Sequence, residues 1–122
     1  MLTSFETNCD AVIAEILALG STDDTTIRTI AYFNPFVGYM KELGIYEDIN
    51  PYGKAFNEYI VQAASERNIP AARVYWAMNG PNGDEDASDK GYISWDGVHL
   101  SDAGHRLVVE LHRGLGYEAL GP

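Results

Sequence analysis

The chain has 122 residues, 46% of them hydrophobic, and a formal net charge of −10. That length and apolar content fit one globular domain with its own core rather than a disordered segment. The acidic balance argues against a nucleic-acid or anionic-lipid surface, both of which need clustered Lys and Arg, no stretch is apolar enough to span a bilayer, and a lone cysteine excludes an intramolecular disulfide.

The first residues, Met1 to Glu6, carry neither the basic end nor the apolar run of a signal peptide, and the compartment stays unassigned. Thr7 with Asp10 has the spacing of a capping box, with Asp in place of Glu. Cys9, Val12, Ile13, Ile16 and Leu17 then fall on one helical stripe, with Gly20 as its stop. Cys9 on that stripe reads as a buried structural thiol. Ser21 to Thr26 is a polar turn, and Ile27 to Phe33 reads as a strand ended by Asn34-Pro35. A short helix over Phe36 to Leu43 precedes Gly44. Asn50 is expected to cap a strong helix with Pro51 at its first position. Tyr52, Phe56, Tyr59, Ile60 and Ala63 make its inner stripe, and it ends near Asn68 before Pro70. Ala72 to Met78 reads as a second strand, and Asn79 to Lys90 as an acidic, glycine-containing loop. Ser101 caps a last helix whose inner positions are Leu107, Val108, Leu111 and Leu115.

This order of helix, strand, helix, strand, helix predicts an α/β fold with parallel strands and crossover helices. Parallel sheets are covered on both faces and carry more than two strands. The pattern therefore reads as one part of a larger doubly wound domain, incomplete over residues 1–122.

The stretch from Trp95 to His105 carries the chemistry. Asp96 lies three residues before His99, which lets a carboxylate oxygen reach the near ring nitrogen, set the tautomer and leave the far nitrogen as a base. A bare Asp-x-x-His is also what a loop entering a helix shows, with Asp96 in a turn and His99 partly exposed. The longer run is more specific: an aromatic before the Asp, Gly97 after it, Leu100-Ser101 following the His, then Gly104-His105. His105 and His112 are one heptad apart, yet His99 precedes their helix, so a capped helix is favoured over a three-His metal site. Asn82 to Asp89 offers oxygens at alternate positions but lacks the glycine and closing Glu of a calcium loop, so a solvated loop is favoured. Tyr75, Trp76, Tyr92 and Trp95 line a substrate groove or, for half of them or more, a core.

The run from Trp95 to His105 resembles the last conserved block of the SGNH (GDSL-type) serine hydrolases, and the resemblance extends over nearly the whole chain at falling specificity. The strand ending in Phe33-Asn34-Pro35-Phe36 is similar to the family strand that runs into an Asn-Pro turn. Gly114 to Leu120 is similar to a common C-terminal close of the group, and the first helix to the one after the third block. The resemblance implies a three-layer α/β/α sandwich of flavodoxin-like type, with Asp96 and His99 as two members of a Ser-His-Asp triad. It implies hydrolysis of carboxylic esters on small molecules, carbohydrates or lipids, with no metal or organic cofactor. The Gly-Asp-Ser block with the nucleophile, and the blocks that supply a Gly and an Asn to the oxyanion hole, have no counterpart here. Gly20-Ser21-Thr22-Asp23 follows a helix, not a strand, so Ser21 reads as a turn residue. The chain would then act with a complementing N-terminal segment. The alternative is a catalytically inert binding or assembly module that buries an open sheet edge against a partner or a second copy.

Overall fold

The computed structural model describes residues 2–19 and 24–118. Helix α1 spans Leu2–Ala18, strand β1 Thr29–Ile30, helix α2 Val37–Glu42 and helix α3 Tyr46–Ser65. Strand β2 (Ala71–Ala72), helix α4 (Val74–Asn79) and helix α5 (Asp102–Arg113) follow. The fold is α/β, with a two-stranded parallel sheet in which Thr29 pairs with Ala71 and Ile30 with Ala72. No helix among the described residues is long and apolar enough to cross a membrane.

The short ladder is extended by side chains. Ala31 N–H donates to the Ala72 carbonyl at 2.9 Å, so pairing runs one residue past β1. Beyond it, Tyr32 N–H donates to Asn57 Oδ1 at 2.7 Å while Asn57 Nδ2 donates to the Tyr32 carbonyl at 3.2 Å. Asn79 holds Asn34 in the same way, at 2.8 Å for both bonds, and its Nδ2 also donates to the Glu85 carbonyl. Each carboxamide offers a donor and an acceptor side by side, as a neighbouring strand would. Both asparagines are buried, which is tolerable because their polar atoms are met.

The expected strand over Ala72 to Met78 stops after Ala72. In a continuing parallel ladder the Ala31 carbonyl would accept from residue 74, but the Tyr75 N–H reaches it at 2.9 Å, one residue late, because the chain has already begun to wind. Val74, Tyr75, Met78 and Asn79 are buried, a helical rather than an alternating pattern. The β-branched and aromatic residues that favoured a strand are there because they face the core. Phe33, Ala72, Val74, Met78 and Ala87 form that core, with Leu107, Val108, Leu111 and Leu115 packed against it as expected.

Two helix starts also differ from expectation. α1 begins at Leu2, and the Thr7 hydroxyl donates back to the Thr3 carbonyl at 2.9 Å instead of capping. α3 begins at Tyr46 and contains Pro51. Asn50 is tied sideways instead, accepting from the Tyr75 hydroxyl at 3.3 Å. The end of α3 follows the sequence: Asn68 takes φ 56°, Ile69 N–H donates to the Ala64 carbonyl and Asn68 N–H to that of Ser65, a Schellman close. Gly20, the expected stop of the first helix, and Ser21 lie outside the described residues, as do Ala119 and Leu120.

α1 is held to α3 and the turn after it at a few points. Phe5 meets Phe56 edge-on at 4.5 Å, and Asp10 accepts from Tyr59 and from Arg67, each at 2.7 Å. The bond to Asp10 is the main reason the Tyr59 phenol is pushed up to about 12. Yet no residue of α1 is buried, and Val12 and Ile16 of its expected inner stripe are 57% and 41% exposed.

Asn79→Ala strands the Asn34 main-chain pair and the Glu85 carbonyl together. Each buried polar group left unmet costs roughly 1–3 kcal/mol. Urea unfolding is expected to show a loss of about 3 kcal/mol with an unchanged m-value. A loss under about 0.5 kcal/mol, the level of an ordinary surface change, would show that the amide bridge is dispensable.

Candidate functional site

Asp96 and His99 sit on a closed loop between the core and α5. Ile93 and Leu100 form an antiparallel bridge, Ser94 N–H donates to the His99 carbonyl at 2.7 Å, and Ser101 N–H donates to that of Tyr92 at 2.9 Å. The tip turns through a Gly97 N–H to Ser94 carbonyl bond of 3.0 Å, with Gly97 at φ 75°, a conformation that side chains disfavour. Tyr92, Ile93 and Leu100 pack on the core and anchor the loop. From there the chain enters α5 through Ser101, whose Oγ accepts from Gly104 N–H at 3.1 Å, the expected cap. A Cβ on Gly104 would collide with the Tyr92 carbonyl, so α5 approaches the loop closely only because that residue is glycine.

The carboxylate is the best-held group of the site. Asp96 Oδ1 accepts from Ser94 Oγ at 2.7 Å, His99 N–H at 2.9 Å and Val98 N–H at 3.0 Å. Asp96 Oδ2 lies 2.6 Å from His99 Nδ1. These bonds hold the carboxyl well below the usual carboxylate range, the Ser94 hydroxyl contributing most, then the Val98 amide, the His99 ring and the His99 amide. An ionised carboxylate only accepts, so Nδ1 carries a proton, and in the neutral form of the ring Nε2 presents the lone pair.

Nε2 faces solvent: the His99 side chain is 81% exposed, against 30% for Asp96. No hydroxyl or thiol among the described residues hydrogen-bonds it. The arrangement is an oriented imidazole whose far nitrogen is open to solvent, the geometry a general base requires. The closing of the His ring onto the Asp was legible from the three-residue spacing. Ser94 was missed, and its signal is a hydroxyl two residues before the Asp in a tight turn.

The other expected residues scatter. Tyr75 is buried in α4, Trp76 and Tyr92 are half-buried, and Trp95 is 98% exposed at the loop tip. They do not form one groove. His105 is exposed on α5, while the His112 carbonyl accepts from Arg28 Nη1 at 2.9 Å. No cluster of three or more His, Cys, Asp or Glu side chains placed to hold a metal is found among the described residues. The loop after Asn79 is pinned by Lys41 Nζ on the Asp84 carbonyl, Tyr46 on the Gly83 carbonyl, and a Lys90–Glu85 ion pair. Cys9 is half-buried on α1, its thiol pushed up chiefly by burial. Comparison with family models, curated proteins and solved structures finds no match to this chain.

Because the folded pKa of Asp96 is depressed, its stabilising effect is present above the ordinary carboxylate pKa of about 3.9 and is lost as pH falls through the lowered value. Ser94→Ala removes the largest cause. A carbon-13 titration of the Asp96 carboxyl is expected to show the inflection moving up toward the ordinary value; an unmoved inflection would leave the two amides and the His99 ring responsible.

Gly104→Ala tests the helix contact. At an exposed helical site this change stabilises by up to about 1 kcal/mol. Here the collision with Tyr92 is expected to reverse the sign and cost about 2 kcal/mol in urea unfolding. A gain in stability would show that the loop yields freely.

Proposed function

We propose that this chain is the Asp–His part of a serine ester hydrolase of the SGNH type, its helices and parallel strands belonging to a three-layer α/β/α sandwich. The observation that carries the reading is the 2.6 Å Asp96 Oδ2–His99 Nδ1 contact, made by a carboxylate that two amides and a hydroxyl already hold. A surface helix cap does not need that apparatus. The element order and the Trp95-to-His105 run support it further.

The nucleophilic serine and the oxyanion donors come from a complementing segment. His99 Nε2 removes the serine proton as the hydroxyl oxygen bonds to the ester carbonyl carbon. The oxyanion collapses, the carbon–oxygen bond to the alcohol breaks, and the imidazolium returns the proton to that alcohol. Water then repeats the sequence on the acyl-enzyme and releases the acid. Asp96 keeps Nδ1 protonated and stabilises the imidazolium. The substrates are carboxylic esters, acyl or acetyl, on small molecules, carbohydrates or lipids.

A second reading, an inert binding or assembly module, is favoured by the uncovered α1 stripe. p-Nitrophenyl acetate hydrolysis separates the two. The chain alone is expected to stay at the level of a free imidazole. Combined with a segment bearing the serine and the oxyanion donors, it is expected to show a signal that His99→Ala lowers by about 10³–10⁴-fold. No signal on combination, or one unchanged by His99→Ala and Asp96→Asn, leaves the binding module.

A further inference from the structure

We propose that the free edge of β1 and the groove beneath α1 receive an extended polypeptide segment, which adds as a strand beside Arg28 to Ile30 and brings a carboxylate to Arg28. This rests on the proposed function in one respect: it places the segment that completes the site.

The edge itself selects a polypeptide. Thr29 and Ala31 donate toward β2, so alternation turns the N–H and C=O of Arg28, Ile30 and Tyr32 to the other side. Asn57 meets the pair on Tyr32, which closes the edge at that end. The pair on Ile30 finds no partner among the described residues. Beside this edge lies a groove of about 480 Å³, walled by Phe5, Val12, Ile13 and Ile16 of α1 and by Ile60 and Ile69. A lipid tail or small apolar ligand would cover those walls and leave the Ile30 groups dry, at a cost of roughly 1–3 kcal/mol each. A peptide main chain meets both demands at once.

Arg28 specifies the charge. Its side chain lies on the face of Ile30, where Nη1 donates to the His112 carbonyl at 2.9 Å and the guanidinium stacks over Tyr117, 4.5 Å from the ring centre. Nε and Nη2 are buried and have no acceptor among the described residues. Those two nitrogens form one side of the fork, with parallel N–H bonds that a carboxylate receives in bidentate fashion. On an added strand, the residue opposite Arg28 sends its side chain to that same face. The segment therefore alternates apolar residues toward α1 with an Asp or Glu toward Arg28. A second copy is disfavoured by the net charge of −10 on each chain.

The probe is the blocked heptapeptide Val-Thr-Val-Glu-Val-Thr-Val, with two controls: one N-methylated at alternate amides, one with Gln for Glu. Cys9 lines the groove and is the chain's one thiol, so its alkylation by iodoacetamide reports occupancy. Ile30 amide exchange reports pairing. At ten times its Kd the parent peptide is expected to slow both about tenfold. The N-methylated peptide is expected to do neither, and the Gln peptide to bind more weakly to the native chain but as well as the parent to Arg28→Gln. His99→Ala is expected to bind unchanged, so a failed esterase reading leaves this result standing. No protection at 10 mM peptide (about the weakest useful affinity), equal protection by the N-methylated peptide, or a dimer that the peptide does not dissociate would each overturn the proposal.

Discussion

Two buried carboxamides hold the main chain beyond the sheet as a neighbouring strand would. The sheet pairs only Thr29–Ile30 with Ala71–Ala72, yet past the ladder Asn57 and Asn79 each clasp one residue's N–H and C=O, on Tyr32 and Asn34. A sheet this small is marginal by itself, so these clasps decide where the chain may turn. Asn79 also binds the Glu85 carbonyl, and the Glu85 N–H donates to the Asn79 carbonyl at 2.9 Å. That pair starts the loop whose far end brings Ala87 into the core and lets its carbonyl accept from Tyr92 N–H at 3.0 Å. The Asp–His loop opens from Tyr92. The geometry of the site thus descends, contact by contact, from one asparagine at the end of α4.

Local patterns carried the parts of this structure that depend on local physics. Ser101 caps α5 because a hydroxyl before an amphipathic run has a nearby amide to accept from, and Asp96 reaches His99 because three residues of turn bring them together. Parallel pairing of the two strand regions also followed from the helix that links them. The misread elements are those where tertiary contact overrides local preference. Val74 to Met78 has the composition of a strand, but its burial repeats every four residues, because the chain winds as soon as the ladder ends. Asn50-Pro51 has the look of a helix start, but a preceding turn from Tyr46 stacks onto it in register, and the Asn50 side chain is recruited by Tyr75. Neither asparagine clasp is visible in sequence, since what matters is which main-chain groups lie opposite.

The dyad is preorganised on one side and open on the other. Asp96 has its bonds, and His99 its orientation, without any other molecule. The proposed hydrolysis would need a dry, walled surrounding as well: in water a developing oxyanion gains little from the protein, whereas donors in a water-excluded site contribute several kcal/mol. His99 at 81% side-chain exposure and Trp95 at 98% leave that side of the loop open to solvent.

On α1, magnitudes decide whether apolar cover alone can hold a partner. Full burial of a Val or Ile side chain is worth roughly 1.5–3 kcal/mol. With Val12 and Ile16 about half exposed, covering them would recover about 1 kcal/mol apiece. Association costs roughly 4 kcal/mol or more in lost freedom before any gain appears. Apolar cover alone therefore does not hold a partner in this groove. In the proposed complex, main-chain pairing at Ile30 and an acceptor for the buried fork of Arg28 make up the difference, so the polar edge, rather than the apolar wall, would select the occupant.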